Sequence, residues 1–364
     1  MPLIVDSHED LAWNMLSFGR DYSRSVAETR RLEKGTPTIN QNDNTMLGWP
    51  DYQRGQVAVV FSTLFAAPIR QRAGEWESLV YTDVESAHHL YWNQLVAYHR
   101  LVDSTPDKFR LVQSVSELNE ILDHWTQPGT GDGGHPVGLV ISMEGADGIH
   151  TPDELNEWWS LGLRIIGLAW AGTRFCGGTK EPGPLTDEGR TLLSAMADFN
   201  FTLDLSHMDE EAALQSLDAY PGPIVVTHGN ASDLLRDAPT NRHLTDRVIK
   251  GVIERDGVIG VVPYNKFLKV GWDRTDGRQM ISLDDLVTHI DHICQLAGDP
   301  IHVGIGSDFD GGFGLEAAPN DVDTIADLQK LAPKISARGY SESDIEAVFS
   351  GNWINHLRQN FPGS

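Results

Sequence analysis

The sequence predicts an α/β fold, a (β/α)8 TIM barrel in a single domain spanning residues 1–364, with extra C-terminal helices. Two observations predict it. Short apolar runs rich in β-branched residues alternate with helical runs, which is typical of a parallel sheet. Eight units of this kind are typical of a barrel. The eight predicted strands cover residues 3–5, 56–65, 137–143, 163–170, 202–205, 223–226, 258–262 and 301–305.

The predicted helices are marked by apolar residues at spacings of three and four and by polar caps at their starts. Residues 78–101 show this spacing most clearly, and residues 114–124 begin at a serine cap. A short strand at 109–112 is left outside the eight. Further helices are predicted at 151–159, 185–199, 209–217, 245–255 and 282–296, and in the tail up to residue 361.

Three segments are predicted to be loops. Residues 35–51 are rich in turn formers, and the glycine-rich residues 128–134 are too few for a domain linker. The glycine-rich residues 172–183 are predicted to be either a mobile lid or an ordinary flexible loop. A doubly wound open sheet is the alternative fold, but no glycine fingerprint follows a predicted strand to support it.

Composition narrows the class of protein. A formal net charge of -24 argues against nucleic acid and anionic membranes as partners. The sequence contains no apolar run of membrane-spanning length, and its first residues lack the basic region of a secretory signal. The two cysteines, Cys176 and Cys294, do not form a disulfide framework. A protein in the reducing cytoplasm is therefore expected.

Metal-ligand side chains follow the predicted strands. His8 and Asp10 follow the first strand, two positions apart, so their side chains leave the same face. The other candidates each stand at the end of a later strand, at the mouth where barrel active sites are built. They are Glu144, His207, His228 and Asp308. Histidine with carboxylate suits a divalent transition metal such as zinc, and the sequence predicts a metal site at this mouth.

The set of ligands suits two ions and hydrolytic chemistry. His8 and Asp10 can hold one ion, His207 and His228 the other, and Glu144 can bridge them. A water between two metals becomes a hydroxide nucleophile, and Asp308 can act as the acid and base of the reaction. A closed structural zinc site is the weaker interpretation, because such sites favour cysteine and ligands that lie closer in sequence.

The motifs DSHEDLAWN, SMEGAD, GPLTDEGR, LDLSH, THGN and GIGSDFDG resemble those of the renal-type membrane dipeptidases, peptidase family M19 of the amidohydrolase superfamily. The resemblance extends over nearly the whole chain. It implies a (β/α)8 barrel with two zinc ions that cleaves dipeptides carrying a free C-terminal carboxylate, often tolerates a D-residue there, and commonly forms homodimers. It also implies that His8, Asp10, Glu144, His207 and His228 are the zinc ligands.

The resemblance implies further site residues. Asp308, preferred over Asp310 because it lies nearer the strand end, matches the acid/base aspartate. Arg242 matches the arginine that binds the substrate carboxylate, with Arg236 the other candidate in that segment. Tyr264 falls where the family has an aromatic residue near the substrate, and it is expected to form part of the pocket wall rather than to act as a catalyst.

One residue departs from the family pattern. Trp170 stands where the family has a substrate-binding histidine after the fourth strand. An indole has one N–H donor and no charge, so it cannot replace the histidine fully as an oxyanion donor. The leading hypothesis is a binuclear zinc dipeptidase. An amidohydrolase acting on another small amide or lactone, and a non-catalytic metal-binding barrel, are the alternatives.

Overall fold

A computed structural model describes residues 1–127 and 134–363. Eight parallel strands follow one another around a barrel in chain order, as the sequence predicts. The predicted loop at 128–134 lies outside the described residues except for Gly134. The strands are β1 Ile4–Glu9, β2 Val57–Phe65, β3 Val137–Glu144, β4 Leu163–Gly167, β5 Thr202–Asp204, β6 Ile224–Val225, β7 Ile259–Val261 and β8 Val303–Ile305.

The barrel closes between β6 and β7 through a short seam. Val226 and Ile259 form an isolated parallel bridge. The Val226 N–H donates to the Val258 carbonyl at 3.0 Å, and the Gly260 N–H donates to the Val226 carbonyl at 2.8 Å. The pairing of β1 with β8 is also short, with Asp6–Ile305 as its one register pair. The ladder between β2 and β3 is much longer and runs from Val59–Gly138 to Phe65–Glu144. The predicted barrel is therefore confirmed, and its strands pair weakly at β6–β7 and at β1–β8.

The strands form the core because both of their faces are covered. Every residue of β2 and of β3 is buried, as expected for a parallel sheet with side chains inside the barrel and helices outside. The α-helices of five or more residues are Leu11–Phe18, Val26–Glu33, Thr38–Asn42, Trp49–Gly55, Val84–Ser104, Val115–Thr126, Leu155–Ser160, Asp187–Phe199, Glu210–Ala219, Asp246–Glu254, Leu283–Ala297, Leu331–Ala337, Glu342–Glu346 and Asn352–Asn360, with a 3-10 helix at Ile325–Lys330 and a π-turn at Ala347–Gly351. In the described part of the chain, no helix is long and apolar enough to cross a membrane.

Several boundaries differ from the predictions. The 109–112 strand exists as Phe109–Leu111, but it pairs with β3 outside the barrel. The predicted loop at 35–51 contains the helix Thr38–Asn42 and the start of Trp49–Gly55. The predicted strand 163–170 ends at Gly167, because the apolar residues after it are buried beneath a loop rather than paired in the sheet.

The segment predicted to be a lid or flexible loop contains a β-hairpin. Cys176–Gly178 and Glu181–Leu185 pair antiparallel over the mouth of the barrel. The two strands approach so closely that a Cβ atom on Gly177 would lie 2.1 Å from the Gly183 nitrogen. The glycines that suggested flexibility therefore permit close backbone packing. We refer to this element, Cys176–Leu185, as the mouth hairpin.

Candidate metal centre and active site

All six predicted metal and acid/base residues lie at one end of the barrel. His8 is the fifth residue of β1, Asp10 precedes the helix Leu11–Phe18, and Glu144 ends β3. The remaining three stand three residues beyond the ends of β5, β6 and β8: His207, His228 and Asp308. Parallel strands deliver their carboxyl ends to the same mouth, so residues far apart in sequence meet there.

Glu144 is the centre of this cluster. Its Oε1 lies 2.8 Å from His207 Nε2 and 3.2 Å from His228 Nε2, while its Oε2 lies 3.9 Å from His8 Nε2. A second group forms on the other side of His8. Its Nε2 lies 3.6 Å from Asp10 Oδ2 and 4.0 Å from Asp308 Oδ1. Two overlapping groups with metal-ligand chemistry thus share His8.

A threonine hydroxyl contacts the Nδ1 atom of each histidine. Thr179 Oγ1 lies 2.9 Å from His207 Nδ1, and Thr227 Oγ1 lies 3.0 Å from His228 Nδ1. For His8, Thr63 Oγ1 is at 3.3 Å and Thr227 Oγ1 at 3.4 Å. A partner on Nδ1 orients the ring and leaves Nε2 free to face the centre.

The partner of His228 also fixes its tautomer. Thr227 Oγ1 donates its hydrogen to Asp204 Oδ2 at 2.6 Å, and Asp204 Oδ1 accepts the Thr227 N–H at 2.9 Å. Because its only hydrogen is engaged by Asp204, the Thr227 hydroxyl accepts a hydrogen bond from His228 Nδ1–H. The Nε2 atom of His228 is then unprotonated, which is the form that binds a metal.

Burial and mutual charges set the protonation of the cluster. Burial lowers the pKa of His228 and of His207 well below the usual range, and the charges of His8 and Arg242 act in the same direction. Burial lowers the pKa of His8, because it disfavours the charged form. The nearby carboxylates of Glu144, Asp10 and Asp308 have the larger combined effect and raise the pKa of His8 to about 10. Burial thus favours the neutral form of His207 and His228, which is the form that binds a metal, and a cation bound at His8 would displace a proton from it.

The residues present fit a divalent cation. Within the described residues, His8 Nε2 and Asp10 Oδ1 are buried without a hydrogen-bond partner. Leaving such atoms unsatisfied is costly, so each such atom calls for an explanation. Imidazole with carboxylate is a donor set that zinc and similar ions accept. The chemistry of these residues therefore fits a divalent cation.

Asp308 and Asp310, the two aspartates of the SDFDG segment, have different surroundings. The Asp310 carboxylate accepts hydrogen bonds from Tyr22 Oη, Thr45 Oγ1 and the Met46 N–H, and Arg20 Nη1 lies 3.0 Å from it. It is wholly buried in this network. Asp308 instead faces the metal centre. Burial raises the pKa of Asp308 to about 7 against the opposing charge of His8.

Arg242 lies at the β6 side of the centre. Its Nη1 donates to the Ser206 carbonyl at 2.6 Å, and its Nη2 donates to the His228 carbonyl at 2.9 Å. These bonds fix the guanidinium against the backbone of His228 and of the residue before His207, and three of its five N–H groups remain. The other candidate, Arg236, is exposed and pairs with Asp233 at 2.6 Å. Only Arg242 is buried beside the centre.

Trp170 and Tyr264 stand on opposite sides of the mouth, after β4 and β7. The Trp170 ring lies 6.2 Å from the His207 ring and 5.1 Å from the Phe65 ring. Tyr264 stacks on Phe313 at 4.2 Å. Burial raises the pKa of Tyr264, the charge of Arg274 opposes this shift, and Asp308 adds to it.

Sequence reasoning missed several residues of this site. They are the threonines 63, 179 and 227, together with Asp204 and Phe65. Asp204 and Thr227 had a usable signal, because both stand within three residues of a predicted ligand at a strand end. Thr179 had none, since the mouth hairpin that carries it was not predicted.

A parallel barrel with a histidine–carboxylate cluster at its C-terminal mouth defines a protein of the metal-dependent hydrolase class. Comparison with known proteins narrows this class. The model of the membrane dipeptidase family, peptidase family M19, matches residues 1–360. The chain therefore belongs to that family and is by class a metallo-dipeptidase, as its motifs predicted. Membership implies the use of divalent metal.

Relatives identified by sequence are distant. An uncharacterized protein from the pqqA 5' region of Klebsiella pneumoniae is 28% identical over 281 residues, 74% of this chain and 95% of that protein. Dipeptidase tcpJ of Claviceps purpurea is 27% identical over 234 residues, 61% of this chain and 51% of that protein. The matches thus span about half the length of several curated relatives.

Two solved structures share the fold over the whole chain. Dipeptidase AC, an M19 metallopeptidase, superposes with a TM-score of 0.77 at 24% identity and covers 100% of this chain and 99% of its own. A Rhodobacter sphaeroides metallopeptidase bound to a phosphinate mimic of L-Ala-D-Ala has a TM-score of 0.77 at 23% identity over 99% of both chains. At these identities the likeness confirms the barrel.

Proposed function

We propose that this protein is a binuclear zinc dipeptidase. The observation that carries the proposal is the position of Glu144. One of its oxygens contacts His207 and His228, and the other faces His8. A carboxylate with two oxygens between two ligand groups has the geometry of a bridge between two ions. His8 and Asp10 would hold one ion, and His207 and His228 the other.

Two zinc ions held there would activate a water at neutral pH and polarise the scissile carbonyl. The chain supplies the remaining functions. Asp308 takes the proton of the attacking water and delivers a proton to the leaving amine, and a pKa of about 7 suits a group that does both near neutral pH. The threonine contacts hold the histidine rings in place throughout.

Arg242 would bind the C-terminal carboxylate of the substrate. Its guanidinium is already fixed by the Ser206 and His228 carbonyls, so little ordering is required when a carboxylate binds. Tyr264 would line the pocket on the same side. The phosphinate dipeptide mimic bound by the Rhodobacter sphaeroides relative supports a dipeptide as the substrate class.

The test is hydrolysis of a panel of L,L- and L,D-dipeptides by zinc-loaded protein, with C-terminally amidated copies as matched controls. We expect turnover of the free dipeptides and little turnover of the amides, because amidation removes the charge that Arg242 binds. Equal turnover of both forms would contradict the role of Arg242 in binding the substrate carboxylate. Absence of turnover from protein that retains two ions would contradict the dipeptidase proposal.

A second candidate is hydrolysis of another small amide or lactone at the same centre. Trp170 favours it, because the indole occupies the position of the family histidine beside His207 and offers a weaker oxyanion donor. The same protein preparations assayed with cyclic amides and lactones would distinguish the two. Turnover of these compounds without turnover of dipeptides would select the second candidate.

A further inference from the structure

We propose that Phe65 and Trp170 form a wall that binds the side chain of the N-terminal residue of the substrate and selects large apolar residues there. This inference rests on the proposed dipeptidase function and extends it to specificity. We call the pair the aromatic wall. Phe65 ends β2 and Trp170 follows β4, the two strands that flank the strand carrying Glu144, and the Trp170 ring lies 6.2 Å from the ring of His207.

Strand register places Phe65 beside the reaction centre. Phe65 is the last residue of β2 and is the register partner of Glu144 on β3. Partners in a parallel sheet project their side chains to the same face, so Phe65 and Glu144 point into the same mouth. Phe65 is 9% exposed, so a small part of the residue remains accessible.

Trp170 completes the wall on the other side of Glu144. Glu144 is also the register partner of Gly167, which ends β4, and Trp170 follows three residues later. Its ring packs on Phe65 at 5.1 Å and lies 6.2 Å from the His207 ring. The indole is half-buried, with one part packed and another part open. The two rings form one apolar surface next to a predicted metal ligand.

The aromatic wall has rigid support behind it. The Trp13 ring lies 6.5 Å from Phe65, and it contacts Phe18 at 5.4 Å and Trp76 at 6.3 Å. Trp13 is only 3% exposed. The wall is therefore the edge of a small aromatic core, and its shape is fixed before a substrate arrives. Preorganised apolar surface of this kind favours binding of a complementary side chain.

The position of the wall assigns it to the N-terminal residue. The strands follow one another around the barrel, so β3 lies opposite β7. Arg242 and Tyr264 follow β6 and β7, whereas Phe65 ends β2, the strand opposite β6, and Trp170 packs on Phe65 from the segment after β4. A dipeptide whose carboxylate is held by Arg242 and whose amide carbon lies at Glu144 extends its first residue away from the clamp. That residue then reaches the aromatic wall.

The test compares kcat/KM for two matched substrate series. The first residue varies in Gly-Ala, Leu-Ala and Phe-Ala, and the second residue varies in Ala-Gly, Ala-Leu and Ala-Phe. We expect the zinc-loaded protein to prefer Leu-Ala and Phe-Ala over Gly-Ala by at least about tenfold, because an apolar pocket gains this much from a few methylene groups. Variation of the second residue should change kcat/KM less.

Two variants test whether Trp170 and Phe65 produce the preference for a large first residue. Trp170→Ala should lower the ratio of Leu-Ala to Gly-Ala by about tenfold while two ions remain bound. Phe65→Leu, which keeps an apolar side chain of smaller volume and should fold, should lower the ratio of Phe-Ala to Gly-Ala. Trp159→Ala is the matched control, since this half-buried tryptophan packs on Phe199 and Phe201 outside the barrel.

The outcomes separate the two proposals. Equal kcat/KM values in the first series, a preference in the second series only, or unchanged ratios in both variants would overturn the aromatic wall and leave the dipeptidase standing. Failure to cleave any of the six dipeptides would overturn the dipeptidase proposal and the wall together.

Discussion

The Thr179 hydroxyl lies 2.9 Å from Nδ1 of His207, and it is the only one of the threonine contacts described above that comes from outside the barrel. Thr179 stands in the turn of the mouth hairpin, where its N–H donates to the Trp170 carbonyl at 2.9 Å. Asn241, the residue before Arg242, accepts the Lys180 N–H at 2.9 Å. This hydrogen bond connects the turn to the segment that carries Arg242. The orientation of one predicted ligand therefore depends on a loop.

Replacing Thr179 by valine should weaken metal binding. The change removes the hydroxyl and preserves the branched shape, so His207 loses the partner that orients its ring. We expect the affinity for one of the two ions to fall by about ten- to a hundredfold, the usual effect of losing such a partner. Competition with a chelator measures it. Thr179→Ser is the control, and equal affinities in all three proteins would show that the contact has no role.

Replacing Glu144 by glutamine should remove the bridge. Glutamine has the same shape but no charge, and one end of its amide presents N–H groups to His207 and His228. We expect metal affinity to fall by at least about a hundredfold, together with turnover. Metal content after dialysis is the measurement. Glu154→Gln, in the segment after the same strand, should retain both ions, and a Glu144→Gln protein that also did so would exclude Glu144 as a bridge.

Asp308→Asn should separate turnover from metal binding. Asp308 has a φ of 56°, in the left-handed region that asparagine also tolerates, so the backbone need not change. We expect turnover to fall by about a hundredfold to ten-thousandfold, since the proton carrier is lost while the ligands stay. Metal content and dipeptide hydrolysis on the same sample test this. Loss of an ion would identify Asp308 as a ligand instead.

Asp310→Asn should affect stability rather than chemistry. This residue also has a positive φ, of 63°, but its carboxylate faces Arg20 at 3.0 Å and accepts three hydrogen bonds. Asparagine removes the charge and one acceptor oxygen, but Arg20 keeps its ion pair with Glu33 at 2.9 Å, so we expect a loss of about 1–3 kcal/mol. The free energy of unfolding in urea measures it. A variant as stable as the wild type, with reduced turnover, would reverse the roles of the two aspartates.

His289 should make the protein less stable in acid. Burial lowers the pKa of His289 to about 3, with His243 and His292 adding to the effect, and Nδ1 accepts the Ala231 N–H at 3.2 Å. Below pH 6.5 the imidazole of His289 binds a proton in the unfolded chain but not in the folded protein. The free energy of unfolding therefore decreases as the pH is lowered. The loss at pH 5 is about 2 kcal/mol.

Urea unfolding of the metal-free protein at pH 7.5 and pH 5 measures this effect. His289→Gln should lose about 2 kcal/mol less stability than the wild type between the two pH values. His89→Gln, at an exposed position, should behave like the wild type. Identical pH dependence in all three proteins would mean that His289 is protonated in the folded state.

The barrel and the predicted ligands could be placed from sequence because both depend on local patterns. An apolar run that ends in a polar residue marks a strand end, and strand ends of a barrel meet at one mouth. His207, His228 and Asp308 each followed such a run. Boundaries were placed less accurately: β4 was extended past Gly167 because Leu168 and Ala169 are buried in a loop and therefore look like strand residues.

The groups that orient the ligands could not be predicted, because they meet the ligands through tertiary structure. Thr179 is 28 positions from His207, and Thr63 is 55 positions from His8. No periodic pattern connects such pairs. The pairing of Phe65 with Trp170 depends in the same way on strand register and on the turn after β4. A threonine or phenylalanine in the sequence does not by itself distinguish these positions from other positions in the hydrophobic core.

The two halves of the barrel differ in how firmly their strands are tied. β2 and β3 contain nine and eight residues, whereas β5 to β8 contain two or three each and close through the single Val226–Ile259 bridge. His207 and His228 follow the short strands β5 and β6, whereas His8 lies on β1, which pairs with β2 at four register positions and with β8 at one. If two ions are held as proposed, transient opening of the β6–β7 seam would release the ion at His207 and His228 first. The two sites should have different residence times, and amide hydrogens near the seam should exchange at the pace of the faster one.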